Sequence, residues 1–118
     1  MRILLATILA CASTACLQTE PRRVAGDAPL SQQIAEGRDI ASHQCANCHG
    51  LDDAEALRPD AMPLRRVLLV ADADLLKANF ETGLKMGHPD MPHFVFGPLG
   101  SDVLLTYLES IQEAPSAD

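Results

Sequence analysis

The sequence predicts an all-α domain with three main helices. Three stretches carry apolar residues at helical spacing, and loops rich in proline, glycine or charged residues separate them. No segment alternates convincingly between apolar and polar residues, the pattern of a half-buried strand. The length of 118 residues supports one domain and not two.

Residue types at their ends define the first two helices. Ser31 is the predicted N-cap of a proline-free helix over residues 32–44. Residues 72–82 form the second predicted helix, with acidic residues at its start and Gly83 or Gly87 near its end.

The second half of the chain contains a stiff loop and the last helix. Residues 51–66 are predicted as a loop with a turn of helix. Pro89 and Pro92 exclude regular structure from residues 87–93, because each restricts its own backbone and that of its predecessor. The last helix is predicted over residues 101–111 with Ser101 as its cap.

The chain is predicted to divide into four parts. Residues 1–15 have the features of an export signal: Arg2, then an apolar run, then small residues. Residues 16–30 form a linker with no apolar period, residues 31–113 the domain, and residues 114–118 a tail.

Two leader cysteines leave the processing of the signal open. Cleavage after Ala15 makes Cys16 the first mature residue, as in a lipoprotein-type leader, although Cys11 has the more fitting apolar residue before it. Cleavage after Ala12 or Ala15 without lipidation releases a soluble protein, and an uncleaved leader stays as an anchor. With any of these three outcomes, the protein is expected in the periplasm or on the outer face of the cytoplasmic membrane. It would contact the membrane only through a lipid or through the leader.

The composition narrows the function. Asp and Glu number 16 against 9 Lys and Arg, and no block of basic residues occurs, which argues against nucleic-acid binding. Loss of residues 1–15 removes one charged residue, Arg2, and changes the net charge from −7 to −8. Aromatic residues make up only 3% of the chain, so another large apolar group is expected to fill the core.

The pattern Cys45-x-x-Cys48-His49 is the attachment motif of c-type haem. Two thiols three residues apart at a helix end can each form a thioether with one vinyl group of the same porphyrin. The imidazole of His49 can then bind the iron as the proximal ligand.

Three other interpretations of this motif stay open, although haem is favoured. A thioredoxin-like dithiol follows a strand in a βαβ unit, and none is predicted here. A zinc site needs further ligands, whereas the other cysteine pair lies in the leader. A disulfide between Cys45 and Cys48 leaves His49 without a role.

Methionines and histidines offer a ligand for the far face of the haem. Met91 is favoured because Pro89 and Pro92 hold it in an extended loop, and a thioether ligand suits an electron-transfer iron. His88 or His93, giving a bis-histidine site, is the main rival. The remaining candidates are His43, Met62 and Met86.

From Gln33 to Ile111 the chain resembles a single-haem class I cytochrome c. The matching features are Gly37, the haem motif followed by Gly50, Gly83, the pair Met91-Pro92, and the last helix with Tyr107. The resemblance implies a cytochrome c-like domain of three main helices packed around one covalently attached haem c. It implies Cys45 and Cys48 as the thioether cysteines and His49 and Met91 as the iron ligands.

The resemblance also implies supporting roles. In this family the first and last helices cross where a small residue faces an aromatic one, and Gly37 and Tyr107 match these positions. A proline carbonyl often orients the proximal histidine, and here Pro59 or Pro63 matches, with Pro63 favoured.

Other positions depart from the family or have two interpretations. Ile40 replaces an aromatic residue that is common one turn after the helix glycine. Phe94 and Phe96 are expected as walls of the haem pocket. Arg65 and Arg66 are expected either at the haem propionates or in a solvated charge pair.

The predicted function is electron transfer, not enzymatic catalysis, because six-coordinate iron leaves no open position for a substrate. The haem would cycle between Fe(II) and Fe(III) and shuttle electrons between periplasmic or membrane redox partners, expected to dock through a basic surface. Two alternatives remain: a haem-based sensor or small-ligand binder in which Met91 is absent or displaceable, and a cytochrome subunit of a dehydrogenase or oxidase complex.

Overall fold

Three helices and two short 3-10 helices make up the regular structure in a computed structural model that describes residues 25–83 and 87–115. The helices are α1 (Leu30–Gln44), α2 (Ala73–Thr82) and α3 (Gly97–Ser110), and the 3-10 helices are Ala25–Asp27 and Leu64–Leu69. These residues contain no strand, which confirms the prediction of an all-α domain. None of their helices has the length and apolar character needed to cross a membrane.

Several predictions fall on residues outside the described ranges. They concern the export signal with Cys11 and Cys16, most of the predicted linker, and the candidate ligand Met86.

Helices α1 and α3 cross at Gly37, as the family resemblance implied. A Cβ atom on Gly37 would lie 1.9 Å from the Val103 carbonyl oxygen and 2.7 Å from Cβ of Tyr107. Only a glycine lets the two backbones approach this closely. The pairing of Gly37 with Tyr107 is therefore confirmed.

Helix α2 has a cap at each end. The Asp72 side chain accepts a hydrogen bond of 2.9 Å from the Leu75 N–H. Gly83 ends the helix with a φ of +73°, in the left-handed region that favours glycine. Of the two glycines predicted near the end of this helix, Gly83 is therefore the one that ends it, and Gly87 is not.

Two predicted caps are wrong, and prolines explain both differences. Helix α1 begins at Leu30 and its N-cap is Pro29, whose carbonyl accepts hydrogen bonds from the next turn, so Ser31 lies inside the helix. Helix α3 begins at Gly97, four residues before Ser101, with Pro98 in its first turn. Ser101 is completely buried in α3.

The hydrophobic core joins the three helices and the second 3-10 helix. We call the following buried residues the core cluster: Ala41, Leu64, Leu76, Phe80, Leu104, Tyr107 and Leu108. Partly buried side chains pack around this cluster, and Cys45, Ile40, Phe96 and Met91 are among them. The core therefore contacts both the first motif cysteine and the predicted distal methionine.

Candidate functional site

The motif residues share one turn at the end of α1. Cys45 is the C-cap, and its N–H donates a hydrogen bond of 2.8 Å to the Ala41 carbonyl. The Cys45 carbonyl accepts from the N–H groups of Cys48 at 3.1 Å and His49 at 2.9 Å. This turn presents two free thiols and an imidazole within five residues.

Burial suppresses the thiolate character of Cys45. Desolvation, and to a smaller extent the neighbouring Cys48, raises the pKa of Cys45 to about 11. A reactive redox dithiol needs a thiolate at neutral pH, which requires a lowered pKa. Because the described residues also contain no strand, the dithiol interpretation has no support here.

The imidazole of His49 is oriented by a backbone carbonyl. Nδ1 of His49 lies 2.7 Å from the carbonyl oxygen of Met62. A carbonyl oxygen only accepts, so Nδ1 carries a proton, and in the neutral imidazole Nε2 then carries the lone pair. This tautomer is the one that a metal-binding histidine needs when Nε2 is the ligand.

The carbonyl of Pro59 or Pro63 was expected to orient the His49 imidazole. This prediction is wrong, because the carbonyl belongs to Met62, one residue before Pro63. Met62 directly precedes Pro63, which is buried and extended, with a φ of −60° and a ψ of 142°. A proline restricts the residue before it to extended backbone, so Pro63 acts through the conformation of Met62.

The chain from Cys45 to Leu64, here called the motif segment, is held by its own backbone. The Cys48 carbonyl accepts from the Arg58 N–H at 3.2 Å, and the Gly50 carbonyl accepts from the Leu64 N–H at 2.8 Å. A Cβ on Gly50 would lie 2.0 Å from the Ala54 carbonyl oxygen. The segment therefore closes tightly on itself next to Cys45, Cys48 and His49.

A polar network ties the motif segment to α1 and α3. The Tyr107 hydroxyl donates to Oδ1 of Asp52 at 3.0 Å and accepts from the Asp52 N–H at 3.2 Å. Arg38 donates twice to Oδ2 of Asp52, at 2.9 and 2.7 Å. Asp52 adopts a φ of +49°, which is uncommon for a residue other than glycine.

The charges in this network shift two pKa values. The hydrogen bond from Arg38 lowers the pKa of Asp52, although partial burial opposes this effect. Desolvation, together with the side-chain hydrogen bond to Asp52, raises the pKa of Tyr107 to about 12. Sequence reasoning missed Asp52 and Arg38, because neither residue belongs to a motif.

Residues 87–96, here called the Met91 loop, are held mainly by packing. Met91 is partly buried against the core cluster, and its N–H donates to the His88 carbonyl at 3.0 Å. Phe96 meets Phe80 edge to face at 5.5 Å, and its N–H donates to the Phe80 carbonyl at 3.0 Å. Phe94 stacks on Phe96 at 5.4 Å, so an aromatic row follows Met91.

An exposed cluster of charged side chains connects the two segments. Arg58 donates to Asp60 at 2.9 and 2.6 Å and to Asp90 at 3.2 Å. Nε2 of His88 lies 3.1 Å from Asp60. Asp60, His88 and Asp90 have ligand atoms close enough together for a metal ion, but the Arg58 guanidinium already neutralises both carboxylates.

The other candidate ligands have different surroundings. His43 is exposed on α1, with Nδ1 hydrogen-bonded to the Asp39 carbonyl at 2.8 Å. His93 is exposed, and the side chain of Met62 is 38% exposed. Met91 is therefore the methionine that the described structure brings to the core cluster.

Arg65 forms a charge pair, one of its two predicted roles. Its guanidinium donates to Glu55 at 2.5 Å, to the Ala54 carbonyl at 2.7 Å, and to Glu113. The Arg65 side chain is 13% exposed, whereas that of Glu55 is 82% exposed, so only the arginine is shielded from solvent. Arg66 is 57% exposed and lies 3.8 Å from Glu113.

A surface concavity of about 420 Å³ is lined mainly by the motif segment. Residues between 55 and 66, including Arg58, Met62 and Arg66, line it. It is open to solvent, and none of the motif residues or Met91 contributes to its walls. The concavity adjoins the motif through Met62, whose carbonyl lies 2.7 Å from Nδ1 of His49.

Comparisons of the chain with family models, curated proteins and solved structures found no match. Any functional assignment must therefore come from the residues and their geometry.

Proposed function

We propose that this chain is an exported electron-transfer protein of the class I cytochrome c type. One haem c would be bound covalently through Cys45 and Cys48, with His49 and Met91 as the iron ligands. The haem supplies a one-electron couple between Fe(II) and Fe(III).

The orientation of His49 carries this proposal. Its Nδ1–H donates to the Met62 carbonyl, which leaves Nε2 as the metal-binding nitrogen. The two thiols sit on the same turn as this imidazole. A structural disulfide or an ordinary turn gives no reason for the histidine to be held in this tautomer.

The hydrophobic surroundings fit a haem between the motif segment and the Met91 loop. Cys45 and Met91 are separated by 45 residues in the chain, yet both pack against the core cluster. Apolar walls exclude water and, together with a thioether ligand, favour the reduced iron. The three helices would then enclose a large apolar group, which also accounts for the few aromatic residues.

The surface charge supports docking to a basic partner. Each Lys and Arg among the described residues lies within 4 Å of a carboxylate oxygen. Acidic residues outnumber these cations, so the unpaired charge on this part of the chain is negative. Weak electron-transfer encounters are steered by such charge.

Covalent haem attachment is the first test. The full chain is produced in cells that export it and attach haem to c-type cytochromes, then denatured and extracted with acidified solvent. We expect the haem to stay with the polypeptide, and to be lost in the Cys45→Ser/Cys48→Ser variant. A wild-type chain without haem would overturn the proposal and return zinc or thiol chemistry as the alternatives.

The distal ligand has a matched control within the chain. Met91→Leu should abolish the sulfur-to-iron charge-transfer band of the oxidised protein, whereas Met62→Leu, at a more exposed methionine, should keep it. A band that survives in Met91→Leu would overturn the assignment of Met91. Carbon monoxide binding to the reduced wild-type protein would favour a sensor or small-ligand binder instead.

Export is tested separately by fractionating cells that express the full chain. We expect the haem-containing protein in the periplasm or on the outer face of the cytoplasmic membrane. Labelling with a fatty acid, compared between wild type, Cys16→Ser and Cys11→Ser, then distinguishes lipidation at either cysteine from release as a soluble protein. Recovery of the protein in the cytoplasm alone would overturn the predicted location.

A further inference from the structure

Arg58 connects the two segments that supply the proposed iron ligands. Its backbone N–H donates to the Cys48 carbonyl at 3.2 Å, inside the haem motif. Its guanidinium holds Asp60 with two hydrogen bonds and reaches Asp90, the neighbour of Met91, at 3.2 Å. One side chain therefore contacts both the motif segment and the Met91 loop.

His88 makes a second contact between the same two segments. The Asp90 N–H donates to Nδ1 of His88 at 3.1 Å, so Nδ1 carries the lone pair in the neutral imidazole. Nε2 then carries the proton and faces Asp60 at 3.1 Å. The Arg58 and His88 contacts thus act in parallel between the two segments.

We propose that Arg58 is a positioning residue that holds the Met91 loop against the motif segment and so keeps the Met91 thioether at the iron. This inference rests on the proposed function. Arg58 would act through its hydrogen bond to Asp90, which adjoins Met91 in the chain.

The exposure of Arg58 and Asp90 limits how strongly their ion pair can hold the Met91 loop. The side chains of Arg58 and Asp90 are 39% and 63% exposed, so water and salt screen their attraction. Exposed ion pairs of this kind change an equilibrium by a factor of about two to five. A ligand that is held by a single iron–sulfur bond is sensitive to a change of this size.

Displacement of Met91 by imidazole measures the effect directly. The oxidised haem-loaded protein is titrated with imidazole, and loss of the sulfur-to-iron band reports the displacement. We expect Arg58→Gln and Asp90→Asn each to tighten apparent imidazole binding about threefold. Arg58→Lys should restore part of the difference, because a lysine keeps the charge but not the planar fork.

Two comparisons separate positioning from a general loss of stability. Lys77 is the matched control, because it bridges Glu81 at 2.6 Å and Asp102 at 3.2 Å, and neither partner belongs to the motif segment or the Met91 loop. We expect Lys77→Gln to leave imidazole binding unchanged. In the double variant Arg58→Gln/Asp90→Asn the two effects should not add, because they remove one shared contact. Hydrogen exchange of residues 87–96 should accelerate in Arg58→Gln and stay unchanged in Lys77→Gln.

The outcomes distinguish this inference from the proposed function. A wild-type protein without covalent haem, or without the sulfur-to-iron band, overturns the proposed function and the inference with it. If the wild-type protein has covalent haem and the sulfur-to-iron band, but Arg58→Gln binds imidazole with the same affinity as wild type, the inference alone is overturned. An equal effect of Lys77→Gln, or additive effects of the two substitutions, would also overturn the inference alone.

Discussion

The motif segment and the Met91 loop differ in what holds them. The motif segment is fixed by backbone hydrogen bonds, a tight approach at Gly50, and a buried tyrosine hydroxyl. The Met91 loop depends on two prolines, aromatic packing and exposed ion pairs. The firmly held segment thus carries the residues proposed for covalent attachment, and the loop that depends on packing and ion pairs carries the proposed distal ligand.

The largest difference between the two segments is expected from glycine substitutions. Gly50→Ala places a Cβ 2.0 Å from a backbone oxygen and should lower the free energy of unfolding by about 3 kcal/mol. Gly87→Ala meets no atom within 4 Å but has a φ of +66°, so about 1 kcal/mol is expected. Urea unfolding of both variants measures the contrast, and equal losses would remove it.

The tyrosine hydroxyl provides the next largest effect. Tyr107→Phe removes two hydrogen bonds to Asp52 and should lower the free energy of unfolding by about 1–2 kcal/mol. The matched change in the Met91 loop is Asp90→Asn, which alters one exposed contact and should cost less. Chemical denaturation of the two variants under the same conditions gives the comparison. A smaller loss in Tyr107→Phe than in Asp90→Asn would contradict the proposed order of stability.

High pH should weaken the attachment of the motif segment specifically. The pKa of Tyr107 rises from an ordinary value of 10.0 to about 12, so the folded chain retains this proton more strongly than the unfolded chain. The resulting stabilisation is complete below about pH 10 and is lost as the pH rises towards about 12. Urea midpoints across this range should fall more steeply for wild type than for Tyr107→Phe, and parallel curves would contradict the assignment.

Salt should produce the smallest effect, confined to the Met91 loop. Raising the ionic strength to about 1 M shortens the Debye length to about 3 Å, which screens the exposed contacts of Arg58. Hydrogen exchange of residues 87–96 should accelerate modestly, while the amide of Leu64, which is bonded to the Gly50 carbonyl, should not respond. An equal response in both segments would show that ion pairs do not distinguish them.

Local patterns were sufficient for the helices but not for their first residues. Apolar spacing predicted α1, α2 and α3, and Gly83 marked the end of α2 correctly. Ser31 and Ser101 were wrong as caps, because a proline fits the start of a helix without offering a side-chain cap. A hydroxyl residue in sequence marks a helix start only when no such proline precedes it.

Contacts between distant residues could not be found from the sequence. His49 is oriented by the backbone carbonyl of Met62. Every residue carries such a carbonyl, so the residue type gives no signal for this contact. Arg38 pairs with Asp52, 14 residues away, and Arg58 pairs with Asp90, 32 residues away. Neither pair lies within one helix, and charged residues are common throughout the chain.

The sequence by itself determined the all-α class, the positions of the three helices, and the Cys45-x-x-Cys48-His49 pattern on which the haem proposal rests. These features depend on the order of neighbouring residues, which the sequence states directly. Only the tertiary structure decided which carbonyl orients His49 and that Met91 and Cys45 share one core cluster. It also showed that Arg58 joins the motif segment to the Met91 loop. These facts depend on how the chain closes in space, because hydrogen bonds and packing act over a few ångströms whatever the separation along the sequence.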